Sequence, residues 1–163
     1  MTLPMLDPKL DLEISRVIAA PRKRVWQAWS DPKILAEWWC PKPWKTEVKA
    51  FDFRPGGAFH TYMTGPDGKG GTGESDNPGC FLDIVPLERI VGTSALGGSW
   101  RPITSWMPAT MIFSLSDEAN GTRYSVRVMH RETADMERHK EMGFYDGFGT
   151  CITQLEEVAR SIS

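Results

Sequence analysis

Apolar residues alternate with charged and polar ones at the start of the chain, Leu10, Leu12 and Ile14 against Asp11, Glu13 and Ser15, and predict a half-buried strand over 10–18. The pattern then changes period. Pro21 opens a short helix at a position where its missing N–H costs nothing, and Ser30-Asp31-Pro32 ends that helix and caps a second one running to about Trp38. Strand patterns return over 45–54, 57–64, 80–85, 89–96, 110–116 and 122–130. From Thr133 to about Ile162 the step becomes helical, with Phe144, Phe148, Cys151, Leu155 and Val158 recurring every three or four residues.

This order predicts an α+β fold: a curved antiparallel sheet of six or seven strands around one long C-terminal helix, with two short helices after the first strand. Residues 1–9, with two prolines, read as a loose leader before a single domain over 10–163. Gly143 and Gly147, four apart, flatten one face of the long helix and allow close approach, or else kink it near Gly147-Phe148-Gly149. The polar stretch 65–79 contains a formal G-x-G-x-x-G at Gly68, Gly70 and Gly73. No helix pattern follows it, so it reads as a mobile, dispensable hairpin arm and not as a phosphate loop.

Five of the seven tryptophans, Trp26, Trp29, Trp38, Trp39 and Trp44, fall in the helix pair and the turn after it. Aromatic area at that density either fills a core or walls a cavity. Strand alternation turns Tyr124, Val126, Val128 and His130 towards the long helix, as it does Phe113 with Met111 and Leu115, and Phe59 with Thr61 and Met63. The candidate cavity residues are therefore Trp38, Trp39, Phe59, Phe113, Tyr124, His130, Phe144 and Phe148. His130 is the chief polar candidate, open to roles as an acid or base, a ligand anchor or a satisfied core histidine. His139 could meet it only if the connecting turn doubles back, and His60 should face solvent. Asp52 and Arg54, two apart in one strand, suit a structural ion pair.

Composition narrows the function classes. A net charge of −2, 25% charged residues and no long like-charge run leave no footprint for nucleic acid, and no apolar run approaches a membrane span. Three widely spaced cysteines, Cys40, Cys80 and Cys151, suggest reduced thiols in a cytoplasmic protein, and their spacing supports no metal site. The motifs of serine hydrolases and zinc proteases are missing, so no catalytic residue and no cofactor is assigned.

Four stretches carry a family resemblance: VWQAWSDPKILAEWW, FDFRPGGAF, GCFLDIVPLERIVGT and HRETADMERHKEMGFYDGFGTCITQLEEV. They resemble the helix-grip superfamily of START domains, Bet v 1 allergens and polyketide cyclases. Within it, they resemble bacterial proteins grouped with the C-terminal domain of the activator of the heat-shock protein 90 ATPase. The resemblance implies a deep cavity between sheet and helix but no single activity. A binding module for a small apolar or amphipathic molecule is the first expectation. A cochaperone acting on a chaperone partner, and a cyclase- or lyase-like enzyme using His130, are the alternatives. Homodimerisation stays open.

Overall fold

The computed structural model describes residues 3–162, so Met1, Thr2 and Ser163, at the ends of the expected leader and domain, lie outside the described residues. Ahead of the first strand, Arg127 donates to the Pro4 carbonyl at 2.5 Å and the Asp11 carboxylate accepts from Asp7 N–H at 2.8 Å. Strand β1 spans Asp11–Ile18, helix α1 Arg22–Ser30 and helix α2 Pro32–Leu35. Val25, Ala28 and Trp29 form the buried face of α1, and Asp31 caps α2 by accepting from Lys33 N–H.

The remaining strands are β2 (Lys45–Phe51), β3 (Phe59–Pro66), β4 (Thr72–Asn77), β5 (Cys80–Val85), β6 (Arg89–Thr93), β7 (Leu96–Gly97), β8 (Arg101–Pro102), β9 (Ala109–Glu118) and β10 (Gly121–His130). They pair antiparallel, in the orders β1-β10-β9-β6-β5, β2-β3-β4 and β7-β8. Backbone bonds join the two larger groups: Phe59 N–H donates to Gly79 at 3.0 Å and Phe81 N–H to Gly57 at 2.9 Å. Bulges at Val48/Ala50 and Phe81/Asp83 add to the curvature.

All seven expected strands are present. Three more form, the two-residue pair β7 and β8 and the strand β4, which occupies the glycine-rich stretch read above as a mobile arm. Its residues, TGESDN, carry no apolar alternation, so nothing but its ladder to β3 makes it a strand. Two of the glycines there, Gly65 and Gly73, have a packing reason. A Cβ at Gly65 would lie 2.3 Å from the Trp44 ring, which rests across the hairpin.

Alternation places β10 as expected. Tyr124, Val126, Val128 and His130 are buried, while on the outer face Arg127 pairs with Glu13 at 2.6 Å and Ser125 with Ser15 at 2.9 Å. The C-terminal helical stretch is two helices, α3 (Thr133–Glu141) and α4 (Phe144–Ser161), and not one continuous helix. The break falls at Gly143, whose φ of +96° suits glycine, and α4 runs unbroken through Gly147. Helix α4 lies inside the curved sheet, burying Phe144, Cys151, Ile152, Leu155 and Ala159. Arg54 and Asp52 form the expected pair at 2.8 Å.

Candidate functional site

The tryptophans divide between core and cavity. Trp29 is fully buried and touches Trp38, Trp39, Phe59, Phe81 and Phe113 at ring separations of 5.0–6.3 Å. Its indole N–H donates to the Tyr124 hydroxyl at 3.1 Å, which satisfies the indole donor and gives the phenol oxygen a partner. Trp38 donates to the Ala28 carbonyl at 3.0 Å. The chain after α2 is held by Gln154 of α4. Its amide N–H group donates to the carbonyls of Trp38 and Cys40 at 3.2 and 2.8 Å, and its oxygen accepts from Lys42 N–H at 3.0 Å. Gln154 thus satisfies three backbone groups and fixes the indoles of Trp38 and Trp39 against the sheet.

Beyond this layer lies a cavity of about 390 Å³. Trp38, Trp39, Phe59, Phe113, Tyr124, Phe144 and Phe148 all line it, so seven of the eight candidate residues meet at one space. Gly143 and Gly147 line it too, and a Cβ built on either would meet nothing within 4 Å. His130 does not reach it. Its ring lies behind that of His139, which does.

The two imidazoles form a hydrogen-bonded chain because the end of β10 and helix α3 fold back on each other. His130 Nδ1 lies 2.8 Å from the Leu10 carbonyl, an acceptor only, so Nδ1 carries the proton. His130 Nε2, 2.9 Å from His139 Nδ1, is then the acceptor and His139 Nδ1 the donor. Burial, and secondarily the neighbouring His130, push the His139 pKa down to about 4, so its ring is neutral at physiological pH. The outermost nitrogen of the chain, His139 Nε2, is a bare acceptor.

The other ionisable lining groups are silent or already partnered. Burial raises the Tyr124 phenol well above its ordinary value and pushes the Cys151 thiol up to about 12. Cys40 is raised likewise by burial, against a lowering bond from the Thr46 hydroxyl. Asp76 is 2.5 Å from His60 on the outer face of the β3–β4 hairpin, the face opposite Phe59 to which the strand alternation turns His60. Among the described residues, no lysine or arginine lines the cavity.

At the mouth, Trp106 stretches between two walls. Its indole N–H donates to Asn77 of β4 at 3.4 Å, and its carbonyl accepts from Arg138 of α3 at 2.8 Å. Trp106 is 54% exposed and Met142, across the opening, 59%. Ser75, Asp76 and Asn77 line the same rim, so the arm expected to be dispensable forms a wall of the cavity. Sequence reasoning missed His139, Gln154 and Trp106 as site residues. The distance-nine pairing of His130 with His139 was the one available signal, and it depended on a turn that only the folded chain reveals.

The arrangement is that of a helix-grip fold: a curved sheet folded around a helix, with an aromatic space between them. The family model described as activator of Hsp90 ATPase homolog 1-like protein matches residues 19–160, and the chain belongs to that family. A crystal structure of a protein from Nitrosomonas europaea is 38% identical, with a TM-score of 0.88 over 95% of this chain and 97% of the other. One from Mycobacterium smegmatis is 24% identical at a TM-score of 0.79, covering 95% and 93%. The solution structure of an AHSA1-like protein from Aeromonas hydrophila is 19% identical at 0.70, covering 94% and 97%. These last two support the fold alone. No protein of curated function matches the chain. No helix among the described residues is long and apolar enough to cross a membrane.

Proposed function

We propose that the protein is a binding module for one small hydrophobic or amphipathic molecule, held between the sheet and α4. The carrying observation is the 390 Å³ space walled by eight tryptophan, phenylalanine and tyrosine side chains. Its size falls within the usual range of small-molecule sites, and tightly packed cores hold few voids larger than a water molecule. The polar groups gather in two places, at the rim around Ser75–Asn77 and at His139, which suits a molecule with an apolar body and one or two polar ends. Three buried, unpaired thiols fit residence in a reducing cytoplasm.

Titration with Nile red, a neutral environment-sensitive dye, tests the reading. Saturable binding of one dye per chain, with quenching of tryptophan emission, is the expected result. Partition without saturation, or no binding, would remove the basis for it. Family membership favours a second reading, a chaperone partner whose ATPase the protein stimulates. Added to the host's chaperone of that class, the protein is expected to leave ATP hydrolysis unchanged. A several-fold, saturable stimulation would reverse the ranking.

A further inference from the structure

We infer that His139 Nε2 is the polar anchor of the cavity and that it selects neutral ligands carrying a hydrogen-bond donor, an alcohol or phenol, over carboxylates and over the corresponding ethers. The inference rests on the cavity-binding reading above and goes on to name the chemical class of the ligand.

The argument is one of proton accounting. Each step of the chain from the Leu10 carbonyl through His130 to His139 has one arrangement of donors and acceptors when both rings are neutral. The carbonyl cannot donate, so the direction of every bond after it is fixed. The last nitrogen, His139 Nε2, has no hydrogen-bond partner among the described residues. It is also not sealed off, since Asp135 Oδ2 is the one fully buried side-chain polar atom there that lacks a hydrogen bond. His139 packs edge-on against Phe144 and lies near Phe148, both cavity residues, so this nitrogen is the acceptor set into the aromatic wall. A ligand hydroxyl donating there completes the chain. An ether of the same shape offers no proton and leaves the nitrogen unpaired after water is displaced, which costs affinity.

The charged side chains near the ring offer an anion no cation inside the cavity, since Arg138, next to His139 in α3, is held at the mouth by the Trp106 carbonyl. Helix α3 contributes Asp135, one turn before His139, buried and 3.2 Å from Arg131. Strand β10 contributes His130, and the α4 residues against the ring, Phe144 and Phe148, carry no charge. With no lysine or arginine among the described residues that line the space, a carboxylate would enter without a cationic partner. Neutrality of the His139 ring follows from its burial, and it keeps Nε2 an acceptor at neutral pH.

The test is displacement of Nile red at neutral pH by three probes with one hydrocarbon body: 2-naphthol, 2-methoxynaphthalene and 2-naphthoate. The naphthol is expected to displace the dye at about tenfold lower concentration than either of the others. The substitution His139→Phe, scored against the variant's own dye affinity, should abolish the preference for the naphthol over its ether. Equal potency of naphthol and ether in the wild type would overturn the anchor while leaving the binding module standing. Preference for the naphthoate would overturn the ligand class. Failure of the dye itself to saturate would overturn both readings, and it is seen before any probe is added. If the variant does not fold, the wild-type comparison decides alone. A separate readout needs no ligand: ring-nitrogen chemical shifts should place the His139 proton on Nδ1, and a proton on Nε2 would contradict the chain.

Discussion

Gly147 sits in the first turn of α4, a place where glycine weakens a helix by about 1 kcal/mol relative to alanine. A Cβ there would meet open space, so Gly147→Ala should stabilise the fold by about 0.5–1 kcal/mol in chemical denaturation. Gly57 makes the contrasting case. A Cβ there would fall 1.8 Å from the Asp52 carbonyl oxygen, and Gly57→Ala should be strongly destabilising. His139 sets a pH dependence whose sign follows from its lowered pKa. Above about 6.5 neither the folded nor the unfolded form holds the extra proton, and the group is neutral in its effect. As pH falls from there towards about 4, the unfolded chain takes up a proton that the folded protein refuses, and stability declines. The slope from this group is at most about 1.4 kcal/mol per pH unit. His139→Phe should flatten that part of the profile, and an unchanged slope would place the titration elsewhere.

Elements hold the site through contacts that are distant in sequence. Gln154 joins α4 to the turn after α2, and Gln154→Leu leaves two carbonyls and one N–H unpaired. The expected loss is about 1–3 kcal/mol for each group that water cannot reach. Near-ultraviolet dichroism should change with it, because Trp38 and Trp39 lose their support. The β3–β4 hairpin makes the opposite kind of contribution, since it walls the cavity with little apolar core of its own. Replacing Lys69–Asn77 with a short turn should therefore abolish dye binding more than it lowers the melting temperature. Arg138→Ala removes the tie to Trp106 at the mouth and should speed dye release with little change in stability. These roles explain what the sequence withheld. Gln154 is a polar residue beside Leu155, outside the apolar step that marks the buried face of the helix, and TGESDN has neither strand alternation nor apolar residues. Both are determined by partners far along the chain. The strand carrying Tyr124 to His130 was legible because alternation is local, and the helix pair because proline and the Asp31 cap mark its boundaries.

At the scale of the molecule, the order of elements in the chain already implied a sheet wrapped around a terminal helix, and the family match covers the same span. What the order could not supply was the division of aromatic residues between packing and lining. Trp29 and Trp39 look alike in sequence, yet one is sealed in the core and the other borders empty space. The central claim is that this space is a binding site, and a plugged helix addresses it most directly. Gly147 lines the cavity and a Cβ there meets nothing within 4 Å, so Gly147→Leu should send a side chain from α4 into the space. Nile red titration of the wild type and of this variant, with circular dichroism to confirm folding, is the measurement. The account predicts saturable binding in the wild type and its loss in a variant at least as stable. Equal binding by both folded proteins would show that the dye sits elsewhere and contradict it.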